Sequence, residues 1–414
     1  MIVTIVDFIF FFYMFIGTYM LALLVLIYLK HKNDLFTAPE PKELEGVSIV
    51  MPCYNESKTI GMAIESLLEL DYPQDKIEIL VVDDCSKDNS VEIVRPYTKK
   101  YKNVKLIINS RNSGGAAEPT NLGVMAAKYD YIAVADSDST PKKEALKKMI
   151  GFLQEDPSVG GVTCSVLVKN PKSFIQKLQA TEYAVIAFSR KLLDKVDAVY
   201  VTPGPFALYR KKTLIEVGLF DTKNMTQDIE IVWRMLSKGY KARMCLATSV
   251  YSESPSKFWP WVRQRIRWNI GGIQTIIKYK KLIFRKGIFG LFIIPFFVFS
   301  LVLGLIGLAL LAYLYLKRTI IDLLVVKYAF FGSTTLLRLQ DLTFAPSLLN
   351  YFGVVVFILG TTFNLFSLAA IKDKQLGEKH KVFSVSFYLI VYLTLYPLLL
   401  IASTYKFLRG KYSW

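Results

Sequence analysis

Histidine and cysteine are scarce in this chain: two and four residues among 414. Cys53, Cys85, Cys164 and Cys245 show no pairing or metal-ligand spacing, which argues against a disulfide framework and against a thiolate site. Each sits in or beside an expected strand, so reduced, buried thiols are the expectation. His31 and His380 flank apolar runs and offer no metal cluster. Acids are also in deficit, 34 against 51 Lys and Arg, for a formal net charge of +17. So basic a chain is compatible with nucleic acid, but long apolar runs favour anionic lipid headgroups and phosphorylated substrates over it, and no nucleic-acid partner is expected. Internal repeats and low-complexity tracts are absent.

What is abundant is apolar: 53% hydrophobic and 14% aromatic residues. The length suggests two or three domains, and the apolar residues are unevenly spread. Ile2 to Leu29 is nearly continuous, with Asp7 its only charge. At ~1.5 Å per residue it spans a ~30 Å hydrocarbon core. It lacks the basic start, short core and small-residue cleavage pattern of a signal peptide. Lys30, His31 and Lys32 follow, which places the next segment in the cytoplasm. Further spans are expected at Ile288 to Leu316, Leu348 to Ile371 and Val382 to Ala402. A fourth candidate, Ile320 to Leu337, carries Asp322 and Lys327. The basic tail Lys406, Arg409, Lys411 favours an internal C-terminus; the loop Lys372 to Lys381 favours the opposite parity.

Between these ends the pattern becomes alternating strands and helices. Strands are expected at Val47 to Met51, Ile77 to Val82, Val104 to Ile108 and Ile132 to Ala135, with strand-like runs at Gly161 to Val168 and Val199 to Thr202. Asn55 or Ser57 is positioned to cap a helix whose apolar face is Ile60, Ala63, Ile64, Leu67 and Leu68. Thr140 and Pro141 suggest another helix start, running to Gln154. Helices are also expected from about Lys172 to Leu193 and Gln227 to Lys238, the latter ended by Gly239. Strands separated by helices imply a parallel sheet. Trp259 to Lys286 interleaves aromatic and aliphatic residues with arginine and lysine, as helices in a membrane interface do.

Polar clusters fall where this pattern places strand ends. Pro52-Cys-Tyr-Asn-Glu56 follows the first strand, Asp83-Asp84 the second and Asp136-Ser-Asp138 the fourth. Thr226-Gln-Asp228 opens a helix, and Gln264-Arg-Ile-Arg-Trp268 comes after the domain. Each has a bland reading alone: a helix start, a turn carboxylate, an acid favoured by a helix dipole, a membrane anchor. Ligands of open α/β sheets sit beyond the carboxyl ends of strands. Two hard oxygen ligands there suit Mg²⁺ or Mn²⁺ bridging to a diphosphate.

In this order and spacing, the five clusters resemble the membrane-integrated family-2 inverting glycosyltransferases, the branch of cellulose, hyaluronan and poly-N-acetylglucosamine synthases. Asn112 to Asn121, Val201-Thr-Pro-Gly-Pro-Phe206, Tyr209-Arg210, Val217-Gly-Leu-Phe-Asp221 and Lys406 to Trp414 match as well. The likeness runs from about Val47 to Lys278, with flanking spans in place. It implies an α/β GT-A fold, Rossmann-like with a mostly parallel sheet, in a cytoplasmic domain at 46–255. An N-terminal transmembrane helix at 1–30, interfacial helices at 256–286 and C-terminal transmembrane helices at 287–405 complete the expected organisation of an integral plasma-membrane protein.

The resemblance also implies a nucleotide-sugar donor, a UDP-sugar, and a lipid-linked or polysaccharide acceptor. Pro52, Tyr54, Glu56, Asp84 and Asn112 would bind the nucleotide. Asp136 would face the ribose and diphosphate and, with Asp138, the metal. Asp228 would be the general base, Gln264 and Arg267 would hold the diphosphate, and Trp268 with Gly204 would meet the acceptor. A departing diphosphate needs its growing charge neutralised, and a base commonly contributes ~10²–10⁴-fold. One base without a second catalytic carboxylate fits single displacement with inversion. Three features depart from the family pattern: Gln227 replaces a glutamate, Gly115 stands where a lysine is common, and a long second membrane bundle is missing. A transporter or channel with a regulatory domain would need polar or broken spans, for which Asn364 and Pro397 are poor candidates. A degenerate binding module is disfavoured by Asp84, Asp136, Asp138 and Asp228 all being present.

Overall fold

The computed structural model describes residues 5–332, 348–371 and 382–410. Its centre is a sheet built from sequences that leave no polar side. Strands β1 (Val47–Cys53), β2 (Ile77–Asp83) and β4 (Tyr131–Ala135) are buried along their whole length. That fits parallel strands covered on both faces. Successive side chains feed opposite cores. Ile49, Met51, Ile79 and Val81 enter one; Val50, Leu80, Val82, Ile132 and Val134 enter the other. β3 (Val104–Ile108) forms one edge.

With β5 (Ser139–Pro141), β6 (Val159–Val168), β7 (Phe206–Arg210) and β8 (Lys241–Ser252), the eight-stranded order is β3-β2-β1-β4-β7-β6-β8-β5. β1 runs parallel to both β2 and β4, and β7 is antiparallel to β4 and β6. The chain leaves β1 for β2 on one side and reaches β4 on the other. The crevice beyond the carboxyl ends of β1 and β4 is therefore the topological switch point, where open α/β sheets bind ligands.

Helices α2 (Ile60–Leu68), α3 (Ser90–Lys100), α4 (Ala117–Ala126), α5 (Ala145–Glu155), α6 (Phe174–Asp194), α7 (Lys211–Val217) and α8 (Gln227–Ser237) complete the domain. α2 buries Ile60, Ala63, Ile64 and Leu67 at helical spacing, as expected; each large side chain contributes about 1.5–3 kcal/mol. α8 stops before Gly239, whose φ of +88° suits glycine.

Several local expectations are corrected. Pro141 does not start a helix: Ser139–Pro141 pairs with Val250–Ser252 of β8, and α5 begins at Ala145. β8, for which the local pattern shows no strand signal of its own, runs parallel beside β6. Val199 to Thr202 is not a strand; side chains hold it, with the Thr202 hydroxyl 2.6 Å from Tyr209 Oη. Neither Asn55 nor Ser57 caps α2, which starts after Thr59. Asn55 takes a left-handed φ of 56°, and its Oδ1 accepts from the Lys87 amide at 2.7 Å.

Outside the domain lie α1 (Ile5–His31), α9 (Phe258–Tyr279), α10 (Ile294–Phe331), α11 (Leu348–Ala370) and α12 (Val382–Leu408). Among the described residues, Asp7–His31, Phe289–Tyr328 and Tyr388–Leu408 are long and apolar enough to cross a membrane, and Phe357–Ala370 is a shorter apolar helix. The runs expected at Ile288 to Leu316 and from Ile320 are joined: α10 passes through both, and Arg318 pairs with Asp322 one turn later at 3.0 Å. Ile320 to Phe331 thus continues the same helix. His380, Lys372 to Lys381 and Lys411 to Trp414 lie outside the described residues. The four cysteines are free, three of them buried.

Candidate active site

Three acids and an arginine meet at the switch point. Asp136 and Asp138 follow β4, Asp228 lies in the first turn of α8, and Arg267 is carried by α9. Burial pushes the Asp136 carboxyl up to about 8, with the charges of Asp138 and Asp228 adding to it and Arg267 opposing. Asp138 is also raised, chiefly by burial; Ser139 Oγ donates to its Oδ1 at 2.9 Å, and Glu253 adds repulsion. Burial raises Asp228 against the pull of Arg267 and, more weakly, of Arg190, while its Oδ1 accepts from the Ile229 amide at 3.0 Å. Arg267 itself is lowered by burial and held up by Asp228 and Asp136. A cluster in which carboxylates repel one another is short of positive charge, which a divalent cation would supply.

The donor atoms fit such a cation. Among the described residues no three His, Cys, Asp or Glu side chains gather closely enough to form a protein-only metal site. One or two carboxylates, with the remaining ligands from phosphate and water, is how Mg²⁺ is commonly bound in phosphate chemistry. Asp136 and Asp138 would supply those oxygens.

Glycine makes the close approach. A Cβ on Gly204 would stand 3.0 and 3.2 Å from the Asp136 carboxylate oxygens, so the loop before β7 lies directly against that acid. A side chain at Gly271 of α9 would collide with Thr226, immediately before α8. Two helices are thus brought together at the residue that sets where Asp228 stands.

At the tips of β1 and β2 the geometry is that of a shaped loop. Asp84 is buried; its Oδ1 accepts from Asn109 Nδ2 at 2.8 Å and its Oδ2 from the Ser113 amide and hydroxyl at 2.9 and 2.8 Å. Asn112 Nδ2 donates to the Asp84 carbonyl at 3.1 Å, and its Oδ1 accepts from the Gly114 amide at 2.9 Å. Pro52 is buried and Tyr54 is exposed. Glu56 is raised by burial and by Asp138, while Thr59 Oγ1 donates to it at 2.6 Å. Glu56 therefore shares the field of the acids at β4, whereas Asp84 turns its carboxylate into the 109–113 loop.

α9 supplies the opposite wall. Gln264 Oε1 accepts from Gln179 Nε2 of α6 at 3.1 Å. The Trp268 ring lies 6.4 Å from that of Tyr183 at 24°. Sequence alone did not point to Asn109, which shapes the loop, to Gly271, or to the α6 residues Gln179, Glu182 and Tyr183 behind the wall. Of these only Gly271, a glycine inside an amphipathic run, carries a signal a sequence could show.

An α/β sheet with a switch point between β1 and β4, acids on its strand tips and an antiparallel β7 beside them defines a GT-A glycosyltransferase. Residues 48–218 match Glycosyl transferase family 2, and the chain belongs to that family. It is 31% identical over 240 residues to the poly-beta-1,6-N-acetyl-D-glucosamine synthase of Staphylococcus aureus (strain COL), covering 57% of either chain. To the enzyme of that name from Staphylococcus epidermidis it is 30% identical over 334 residues, 76% of this chain and 77% of that one. The chain thus spans just over half the length of the Staphylococcus aureus relative. The mannosyltransferase PcManGT from Pyrobaculum calidifontis, solved with GDP-Man and Mn²⁺, superposes with a TM-score of 0.55 at 18% identity over 96% of this chain and 99% of that one; this likeness is one of fold.

Proposed function

We propose that the chain is a membrane-bound, metal-dependent transferase that adds N-acetylglucosamine from its UDP donor to a growing polysaccharide by single displacement with inversion. The convergence of Asp136, Asp138, Asp228 and Arg267 in one electrostatic field carries this reading. The staphylococcal relatives support the sugar and the acceptor.

In this reading Pro52, Tyr54, Glu56, Asp84 and Asn112 form the nucleotide end, and Asp136 and Asp138 hold Mg²⁺ or Mn²⁺. When bound, the ion supplies positive charge to the departing diphosphate. Arg267 and Gln264 hold that diphosphate from α9. Trp268 offers an uncharged face to the acceptor sugar, with Gly204 leaving room beside Asp136. The Asp228 carboxylate takes the proton of the attacking hydroxyl. Residues 46–255 are the cytoplasmic catalytic domain, 256–286 lie in the interface, and 1–30 with 287–405 hold the enzyme in the plasma membrane.

The test is incubation of the detergent-purified protein with a panel of radiolabelled nucleotide sugars. Label from UDP-N-acetylglucosamine alone, entering a ladder of products and stopped by EDTA, is expected. A single added sugar on a lipid would replace the polysaccharide acceptor with a polyprenyl one. Transfer undiminished by EDTA would remove the metal.

A further inference from the structure

Arg265 lies in the middle of the α9 motif but takes no part in the acid cluster. Two residues at ~100° each place it about 200° round the helix from Arg267, on the far side. There it is almost wholly enclosed, 1% exposed, and paired with Glu182 of α6, itself 4% exposed. Nη1 donates to Glu182 Oε1 at 2.8 Å and Nη2 donates to Oε2. This two-pronged pairing fixes the guanidinium plane. Trp268 and Trp261 are three residues ahead and four behind, hence on the same face. The guanidinium carbon sits 4.3 Å from the Trp268 ring centroid and 5.4 Å from that of Trp261. Tyr392 of α12 stands edge-on to Trp261, with centroids 6.3 Å apart at 84°, and packs in turn against Tyr388, whose ring is 4.6 Å away and tilted by 52°. Asn269 Nδ2 donates to Ser403 Oγ of α12 at 3.3 Å.

We propose that the Glu182–Arg265 pair is a positioning device: it sets the indole of Trp268 at the acceptor subsite, braced from the membrane side by α12. A flat, delocalised cation stacks on an indole face as an ammonium does not. Arg265 over the ring and the Tyr183 ring 6.4 Å away at 24° together fix the plane of the indole that a sugar ring would meet. The pair therefore governs the acceptor and leaves the donor alone. This rests on the reading of Trp268 as the acceptor platform.

Removing one partner would strand a buried charge and risks unfolding the enzyme. The test therefore uses Arg265→Lys, which keeps the charge but loses the fork and the plane, and the neutral double variant Glu182→Gln/Arg265→Gln. Each is prepared with and without Trp268→Phe, so that the difference spectrum isolates the Trp268 emission. Both variants should shift that emission and make it more accessible to acrylamide. With a β-1,6-linked N-acetylglucosamine pentamer as acceptor, the acceptor KM should rise about thirtyfold, the size of one desolvated cation–π contact. The KM for UDP-N-acetylglucosamine should stay within about twofold, well under the tenfold that corresponds to 1.4 kcal/mol. Unmoved Trp268 emission in both variants overturns the proposal. So does an equal rise in the donor KM, which would put Arg265 on the diphosphate. Wild-type enzyme that ignores the pentamer would count against the polysaccharide reading only, because the emission still decides the positioning role.

Discussion

A carboxylate works as a base only while ionised, and at Asp228 burial and Arg267 pull in opposite directions. Burial prevails, so its carboxyl titrates above its ordinary value of 3.8. The rate should fall as pH drops through that raised value, and the acid limb of a kcat profile measures it. Asp228→Asn should lower turnover by about 10²–10⁴-fold with UDP affinity unchanged by calorimetry; retained turnover would remove Asp228 from the base role. Glu78 shows the reverse sign. Burial raises its carboxyl, but Lys105 Nζ at 2.7 Å, the Lys128 amide at 2.8 Å and Ser48 Oγ at 2.7 Å outweigh that and hold it below its ordinary 4.5. Its stabilisation is complete above the unfolded value and is lost as pH falls through the depressed folded one. Glu78→Gln should lower stability at neutral pH and flatten the acid limb of a denaturation series. An acid limb as steep as the wild type's would show that Glu78 contributes nothing there.

At the scale of elements, α8 and α9 form one unit. Glu230 of α8 is buried and accepts from Lys278 Nζ at 2.7 Å and Tyr279 Oη at 2.8 Å of α9, and from Arg234 of its own helix. Gly271 lets the same helices touch at Thr226. Glycine inside a helix costs about 1 kcal/mol against alanine, so close packing has to compensate. Gly271→Val should push Thr226 and Asp228 out of place, with turnover falling on the order of 10²-fold, the cost of about an ångström of misplacement. Melting behaviour would change far less than activity. If activity survives, the crossing does not position Asp228. α2 and α8 were readable in the sequence because their apolar residues recur at helical spacing. The start of α5 was misread: Thr140-Pro141 has a helix-start pattern, but β8 draws it into the sheet. A local signal lost to a strand more than a hundred residues away, which no window of sequence contains.

For the molecule as a whole, the domain is fastened to the apolar helices through α6. Phe188 is fully buried, with its ring 6.2 Å from Tyr28 of α1 and 6.3 and 5.8 Å from Phe363 and Phe366 of α11. Phe188→Ala should cost about 3–5 kcal/mol, read as a lower Tm of the detergent-purified protein with the same donor specificity. A Tm equal to that of the wild type would show that the junction lies elsewhere. The chain alone determined the strand cores, the acids at their tips and the apolar ends, because each is written in residues adjacent or regularly spaced along it. It did not determine which acids share a field, that Asp84 faces its own loop, or that Arg265 and Arg267 part to opposite sides of α9. Those were decided by tertiary packing, since the charge a side chain meets depends on what folding brings beside it, and Gln179 and Glu182 reach Gln264 and Arg265 from 85 and 83 residues away in sequence.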